Sequence, residues 1–314
     1  MYEGMHTIKR AGWTPRRADA ALLLVAVIWG SGFVATEYAL QYALSPALIM
    51  AMRFWIAALI LLPFQWRKLR CAPRRTLFTG AGAGGVLCAA FFAQTYGQAG
   101  TSVSNSAFLT ATNVVMVPFI AWLLVRKRPP LRIYVLAAGA LAGIGILTLR
   151  FEGGLAIGRG DWFVLLGALL FAVHIAYLGT VALGMDAGLL TLLQLLTTAL
   201  ASTAVLLCVD PGPLRGVARG AELLPVLYLA LFSTCLCFFL QTAAQQRTSA
   251  AKAAILLSAE GLFGSVFSVL LGLEPFTWRL AVGGAVIVLC VALTEADFSK
   301  KPCNRRNARF LERT

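Results

Sequence analysis

Charged side chains are scarce in this chain, and their scarcity decides the class of protein. They make up 13% of the 314 residues, whereas hydrophobic residues make up 59%. A soluble domain carries about 25% charged residues. The apolar runs that remain are each about long enough to cross a ~30 Å hydrocarbon core. The sequence therefore predicts an all-α integral membrane protein with ten transmembrane helices, over residues 21–40, 46–64, 77–98, 104–124, 132–149, 162–183, 188–207, 222–243, 252–272 and 279–296.

Metal-ligand and nucleotide-binding motifs are also lacking. The chain has two histidines, His6 and His174, and its seven cysteines have no metal-ligand spacing. No Gly-x-x-x-x-Gly-Lys-Ser/Thr loop occurs, which disfavours a nucleotide-driven pump. We therefore expect no metal and no cofactor. An integral-membrane enzyme is the main alternative, because Ser249 and Lys252 have the Ser-x-x-Lys spacing, but the companion motifs of that chemistry are missing.

Acidic residues are about half as numerous as basic ones, and the net charge is +14. The basic residues concentrate in the predicted tails, residues 1–20 and 298–314, and in connectors at 67–75, 126–132 and 247–252. Lys and Arg in short connectors mark the cytoplasmic side of a membrane. The pattern predicts a multi-pass plasma-membrane protein with both termini in the cytoplasm. A nucleic-acid partner is not needed to explain the charge.

The second half of the chain repeats the first. Gln94-Thr95-x-x-Gln98-x-x-Thr101-Ser102 recurs at a constant offset as Gln241-Thr242-x-x-Gln245-x-x-Thr248-Ser249. Each half holds five predicted spans, so the second copy must enter the membrane from the opposite face. Inverted repeats of this kind can rock around a site near the midplane and open to each side in turn. We predict two inverted five-helix repeats, residues 21–149 and 162–297, joined by an external connector at 150–161.

Several short motifs occur in a fixed order along these spans. They are Trp29-Gly30-Ser31-Gly32-Phe33, Pro46 with Arg53, Pro118, Gly160-Asp161 and Leu271-Gly272-Leu273-Glu274. In this order the chain resembles the EamA-type branch of the drug/metabolite transporter superfamily over residues 20–297. The resemblance implies ten helices in two repeats that move amino acids, other small metabolites or drug-like compounds, often outward, with the fifth and tenth helices at the periphery. One departure is Arg126-Lys127-Arg128, where such proteins usually carry a glutamate.

Two charged residues, Arg53 and Glu260, lie about eight residues into their predicted spans, where an ionised group is costly and needs a partner. Arg53 could form an ion pair with Glu37, or it could bind a substrate carboxylate. Glu260 could be a neutral acid bonded between helices, or it could bind and release a coupling proton as access alternates. Its counterpart in the first repeat is Asn113, which cannot titrate.

Uncharged polar and aromatic residues complete the predicted substrate pathway. His174 could relay protons or join two helices by a hydrogen bond. Gln194, which matches Arg53 in the repeat, is expected to line the cavity, and Gln94 to tie helices together. Trp29 could wall the cavity or simply pack. Pro118 should kink its helix.

The sequence as a whole favours a secondary transporter of small organic solutes that works by alternating access, with export favoured over import. Its expected partners are the substrate, membrane lipids and a candidate coupling proton. A membrane receptor and a lipid scramblase stay open as alternatives. Substrate identity and oligomeric state cannot be read from the residues.

Overall fold

The computed structural model describes residues 13–42, 44–101, 103–148, 158–209, 220, 223–272 and 275–298. Every regular element in these ranges is a helix. Most of the predicted tails and of the 150–161 connector fall outside them. Thr14 and Ser45 each stand before a proline and cap the helix that follows, because their hydroxyl oxygens accept the backbone N–H of Arg17 and Leu48.

The helices follow the predicted spans closely, with some interruptions. In the first half they are α1 (Pro15–Gln41), α2 (Pro46–Arg70), α3 (Arg74–Gln98), α4 (Val103–Ala111), α5 (Asn113–Val125) and α6 (Leu131–Thr148). In the second half they are α7 (Arg159–Leu178), α8 (Ala187–Val209), α9 (Leu223–Tyr228), a π-helical segment (Leu229–Leu236), α10 (Cys237–Gln245), α11 (Ala250–Leu257), α12 (Glu260–Leu270) and α13 (Trp278–Phe298).

Eight helical segments among the described residues are long and apolar enough to cross a membrane. Leu131–Ile146 and Trp278–Thr294 are apolar but shorter. These two belong to the fifth and tenth predicted spans, so the structure supports eight of the ten spans by length and leaves the other two as apolar helices. Large apolar side chains cover the outside of the bundle, and Phe64, Phe78 and Leu123 are more than 70% exposed, as contact with lipid requires.

Two spans are interrupted at matching places in the repeat. The fourth span breaks at Thr112, between α4 and α5, and the ninth at Ser258–Ala259, between α11 and α12. At both breaks the bonding tightens by one residue, since Thr112 N–H bonds to the Leu109 carbonyl and Ala259 N–H to the Leu256 carbonyl. Pro118 lies inside α5, six residues after the break at Thr112.

Polar contacts place several connectors at one end of the bundle. Lys68 Nζ lies 2.8 Å from Asp186 Oδ2. Gln246 Oε1 accepts the backbone N–H of Gly184 at 2.7 Å. These contacts join the second–third, sixth–seventh and eighth–ninth connectors, and we call this end the basic end. α1 begins there too, because Asp19 pairs with Lys252 near the start of α11.

The second half starts at the opposite end. α3 begins at the basic end and runs away from it, and Thr101, which follows α3, donates to Asp161 Oδ1 at 2.6 Å. Asp161 lies in the first turn of α7. The first helix of the second half therefore begins at the end where the first helix of the first half finishes.

Many helix contacts join the first half of the chain to the second. α3 packs along α7, and α10 packs along α1; α2 contacts α8, and α6 contacts α13. The approach is close where α7 begins, since a Cβ on Gly160 would come within 2.7 Å of the Gly100 backbone. α6 and α13 pack against each other at one side of the bundle. A cavity lies among the other helices.

Candidate functional site

A cavity lies at the centre of the bundle. Both halves line it, and α6, α8 and α13 contribute no lining residue. Its polar lining consists of Thr36, Arg53, Gln94, Gln98, Thr110, Asn113, His174, Ser233, Gln241 and Glu260. Its other lining residues are Trp29, Gly32, Phe33, Phe91, Phe171, Ile175, Leu229, Phe238 and Leu257.

Arg53 is 3% exposed and reaches this cavity from α2. Its Nε donates to Thr234 Oγ1 at 2.9 Å, and Nη2 lies 3.5 Å from Ser233 Oγ. The guanidinium carbon is 4.6 Å from the centroid of the Phe91 ring, within the range of a cation–π interaction. The described residues place no carboxylate within ion-pair distance of it. Neutral hydroxyls and an aromatic face hold the charge.

The ion pair between Arg53 and Glu37 that the sequence offered as one interpretation does not form. Glu37 instead accepts a hydrogen bond from Gln41 Nε2, one helical turn further along α1, at 3.2 Å. Glu37 does not line the cavity. The physical reason is that Arg53 points toward the π-helical segment of the eighth span, whose hydroxyls the sequence analysis had not considered.

This π-helical segment positions the groups that bond to Arg53 and Trp29. Ser233 and Thr234 supply the hydroxyls that Arg53 contacts, and the Ser233 carbonyl accepts the indole N–H of Trp29 at 2.9 Å. A π turn bonds five residues back, as Cys237 N–H does to the Phe232 carbonyl. Where such a turn returns to α-helical bonding, one carbonyl is left without a backbone donor. Trp29 supplies a donor at this place.

Glu260 and Asn113 occupy the same position in the two halves. Each is the first residue after a helix break, Asn113 in α5 and Glu260 in α12, and each lines the cavity while being largely buried. The positive end of a helix dipole favours a polar or anionic group there. The described residues provide no cation for Glu260. An acidic and a neutral residue thus face one cavity from equivalent breaks.

His174 is completely buried in α7 and bonds to Gln194. The His174 Nε2 to Gln194 Oε1 distance is 2.7 Å, and the Gln194 amide nitrogen donates to the Leu190 carbonyl and to Thr242 Oγ1. Gln194 therefore presents an acceptor, and Nε2 of neutral His174 must carry the proton. The other ring nitrogen, Nδ1, has no hydrogen-bond partner among the residues that the structure describes.

Gln94 joins two helices as expected, through Thr110 on α4, whereas Gln194 does not have the cavity-lining role expected of it. Gln194 lies behind His174 and does not line the cavity, whereas Gln94 does line it and donates to Thr110 Oγ1 at 2.9 Å. The repeat aligns Gln194 with Arg53 in sequence, but α8 turns that position toward α10. Sequence reasoning also missed Gln241, although it is the repeat counterpart of Gln94.

The cavity is closed at the basic end. A buried apolar cluster fills that half of the bundle, with Leu22 on α1, Val117 on α5, Ile175 on α7 and Leu256 on α11. Within the described ranges, no group of three His, Cys, Asp or Glu side chains comes together as metal ligands would. The cavity offers a cation, a carboxyl group, amides and aromatic walls.

The sequence pattern that defines the EamA-like transporter family matches the chain twice, over residues 16–149 and 158–295. The chain belongs to this family. Each match spans one half, which agrees with the internal duplication, and membership of the drug/metabolite transporter superfamily follows. An uncharacterized transporter from Archaeoglobus fulgidus is 30% identical over 286 residues, covering 88% of this chain and 85% of that protein.

A solved crystal structure is similar in fold to this EamA-like chain. The TM-score is 0.74 at 18% identity, and the match covers 91% of this chain and 99% of the other. At that identity the likeness concerns the fold alone. The family and the archaeal relative together identify a multi-pass membrane transporter, and they point away from an enzyme.

Proposed function

We propose that this protein is a secondary transporter that carries small organic solutes across the cell membrane by alternating access, in the outward direction, with zwitterionic or anionic compounds as its substrates. The solute would occupy the central cavity, between the two five-helix halves. Amino acids and related metabolites carry charges that the polar lining of this cavity can pair.

The proposal that the substrate bears a negatively charged group rests on Arg53. A guanidinium has five N–H donors and does not give up its proton in a protein. The described residues supply partners for two of these donors, both neutral hydroxyls. Burying a cation this deeply costs free energy unless an anion binds beside it. A substrate carboxylate would complete the site.

Alternating access is supported by the arrangement of the helices. The first helices of the two halves begin at opposite ends, and the two broken spans meet the cavity at Asn113 and Glu260. The cavity is closed at the basic end by apolar packing. Exchanging the roles of the halves would open that end and close the other.

The proposal is tested by solute flux into liposomes that contain the purified protein and no nucleotide. We expect uptake of radiolabelled amino acids, and we expect Arg53→Gln to reduce it at least about tenfold, the effect of ~1.4 kcal/mol. Arg53→Lys, which keeps the charge, should retain more flux than Arg53→Gln. Equal flux by folded wild-type and Arg53→Gln protein would exclude the carboxylate-binding role, and no flux of any solute would exclude transport.

A proton coupled through Glu260 is the second part of the proposal. Its carboxyl group faces the cavity without a described cation, so it could exchange a proton with whichever side is open. In the same liposomes an imposed proton gradient should drive uptake by the wild type. Glu260→Gln should transport down a solute gradient but ignore the proton gradient. A Glu260→Gln protein that still responds to the proton gradient would contradict this role.

A further inference from the structure

The two halves differ at one hydrogen bond beside the cavity. In the first half, Gln94 Nε2 donates to Thr110 Oγ1. At the repeat offset their counterparts are Gln241 and Leu257, and both line the cavity. Leucine has no acceptor. The second half has therefore kept the glutamine and lost its partner.

The side-chain amide of Gln241 has no hydrogen-bond partner among the described residues. The side chain is completely buried, and neither its Oε1 nor its Nε2 has a hydrogen-bond partner. Buried amides are nearly always bonded, and the exceptions call for an explanation such as a bound molecule. Because Gln241 lines the cavity, that molecule would lie in the substrate space.

His174, which lines the same cavity, offers a third unsatisfied atom. Its Nδ1 is the acceptor of the neutral ring, because Nε2 is committed to Gln194. The imidazole stands edge-on to Phe238, with ring centroids 6.1 Å apart, and Phe238 lies one helical turn before Gln241 on α10. One turn beyond Gln241, Gln245 Nε2 donates to the Ile175 carbonyl at 2.9 Å, so α10 and α7 are in direct contact here.

The three free atoms define the chemistry of a complementary group. Gln241 contributes one amide donor and one acceptor, and His174 contributes one acceptor. A primary carboxamide presents two N–H donors and one carbonyl acceptor, which is the matching set. An ammonium could not accept, and a carboxylate could not donate.

We propose that Gln241 and His174 form a subsite for the carboxamide of a substrate whose carboxylate lies at Arg53. The assignment rests on the proposed function and narrows its substrate class to carboxamide-bearing zwitterions. Leu257 determines this specificity indirectly, since it leaves the Gln241 amide nitrogen without a partner in the protein.

The test compares L-glutamine with L-2-amino-5-oxohexanoate, a ketone of the same shape in which a methyl group replaces the amide nitrogen. Binding is measured by calorimetry on purified protein in lipid nanodiscs. The wild type should bind glutamine about tenfold more tightly than the ketone, because the ketone leaves the buried acceptors unpaired.

Three variants separate the contributions. Gln241→Leu should reduce the preference for glutamine over the ketone to about threefold, because only His174 Nδ1 is left to accept from the amide. Leu257→Thr should restore the first-half hydrogen bond and weaken glutamine binding about tenfold while the preference persists, because Gln241 Oε1 and His174 Nδ1 still accept. Thr203→Val, which removes a hydrogen bond to Trp55 outside the cavity, is the control, and it should leave the preference intact. Size-exclusion profiles identify any variant that fails to fold, and Gln241→Met then replaces Gln241→Leu.

The outcomes distinguish this subsite from the transport proposal. Equal binding of glutamine and the ketone by the wild type would reject the subsite while leaving transport of zwitterions in place. An undiminished preference in folded Gln241→Leu or Gln241→Met protein would also reject it. If neither compound binds but other solutes are transported, the carboxamide assignment is wrong; if no solute binds or moves, the proposed function fails with it.

Discussion

At the scale of single residues, the ion pair between Asp19 and Lys252 joins the first and ninth spans at the basic end. The two side chains are 7% and 4% exposed, and Nζ lies 2.7 Å from Oδ2. From the sequence alone, Lys252 counted as a basic connector residue on the cytoplasmic side. The structure instead puts it in the first turn of α11, buried, because Asp19 in α1 supplies an opposite charge at that depth.

Lys252→Met should lower the free energy of unfolding by ~3–5 kcal/mol, because it leaves a buried carboxylate without its cation. The matched control is Lys68→Met, since Lys68 and Asp186 form a pair of nearly equal length that is about half exposed. Such a surface pair contributes only ~0–1 kcal/mol. Equilibrium unfolding in mixed micelles measures both. Adding Asp19→Leu to Lys252→Met should recover most of the loss; no recovery, or equal effects of the two lysine substitutions, would contradict the assignment.

At the scale of helices, the sequence predicts where elements lie better than how each is bonded. Ten apolar runs indicated the helices, and their order of small and polar residues pointed to the repeat. The break at Thr112 is not visible in composition, because Thr112 Oγ1 competes for the Leu109 carbonyl only once a helix has formed. Proline suggested a kink at Pro118, which the structure accommodates within α5.

The π-helical segment shows the same limit. Its residues, Leu229–Leu236, have ordinary apolar helical composition, and the corresponding part of the first half is regular α3. A π turn depends on one extra residue per turn, which periodicity in a short run does not reveal. The sequence therefore predicted correctly that Arg53 lies in the bundle interior. It offered Glu37 as a partner for Arg53, whereas the partners in the structure are the hydroxyls of Ser233 and Thr234.

At the scale of the whole molecule, the proposed mechanism depends on the opposite orientation of the two halves. α2 and α8 are corresponding helices, and each ends near an exposed cysteine, Cys71 after α2 and Cys208 in the last turn of α8. α2 ends at the basic end, where Lys68 contacts Asp186. α8 begins beside Asp186 and must therefore end on the other side. Parallel repeats would put both cysteines on one side of the membrane, and inverted repeats put them on opposite sides.

We predict that a membrane-impermeant maleimide added to intact cells labels Cys208 and spares Cys71. Each is tested as the single cysteine of its variant, and Lys127→Cys, in the fourth–fifth connector, should behave like Cys71. Permeabilised cells, in which all three should react, control for buried or misfolded protein. Labelling of Cys71 and Cys208 from the same side would remove the inverted arrangement. Without it the two broken spans could not exchange roles, and the central cavity would have no second opening to alternate with.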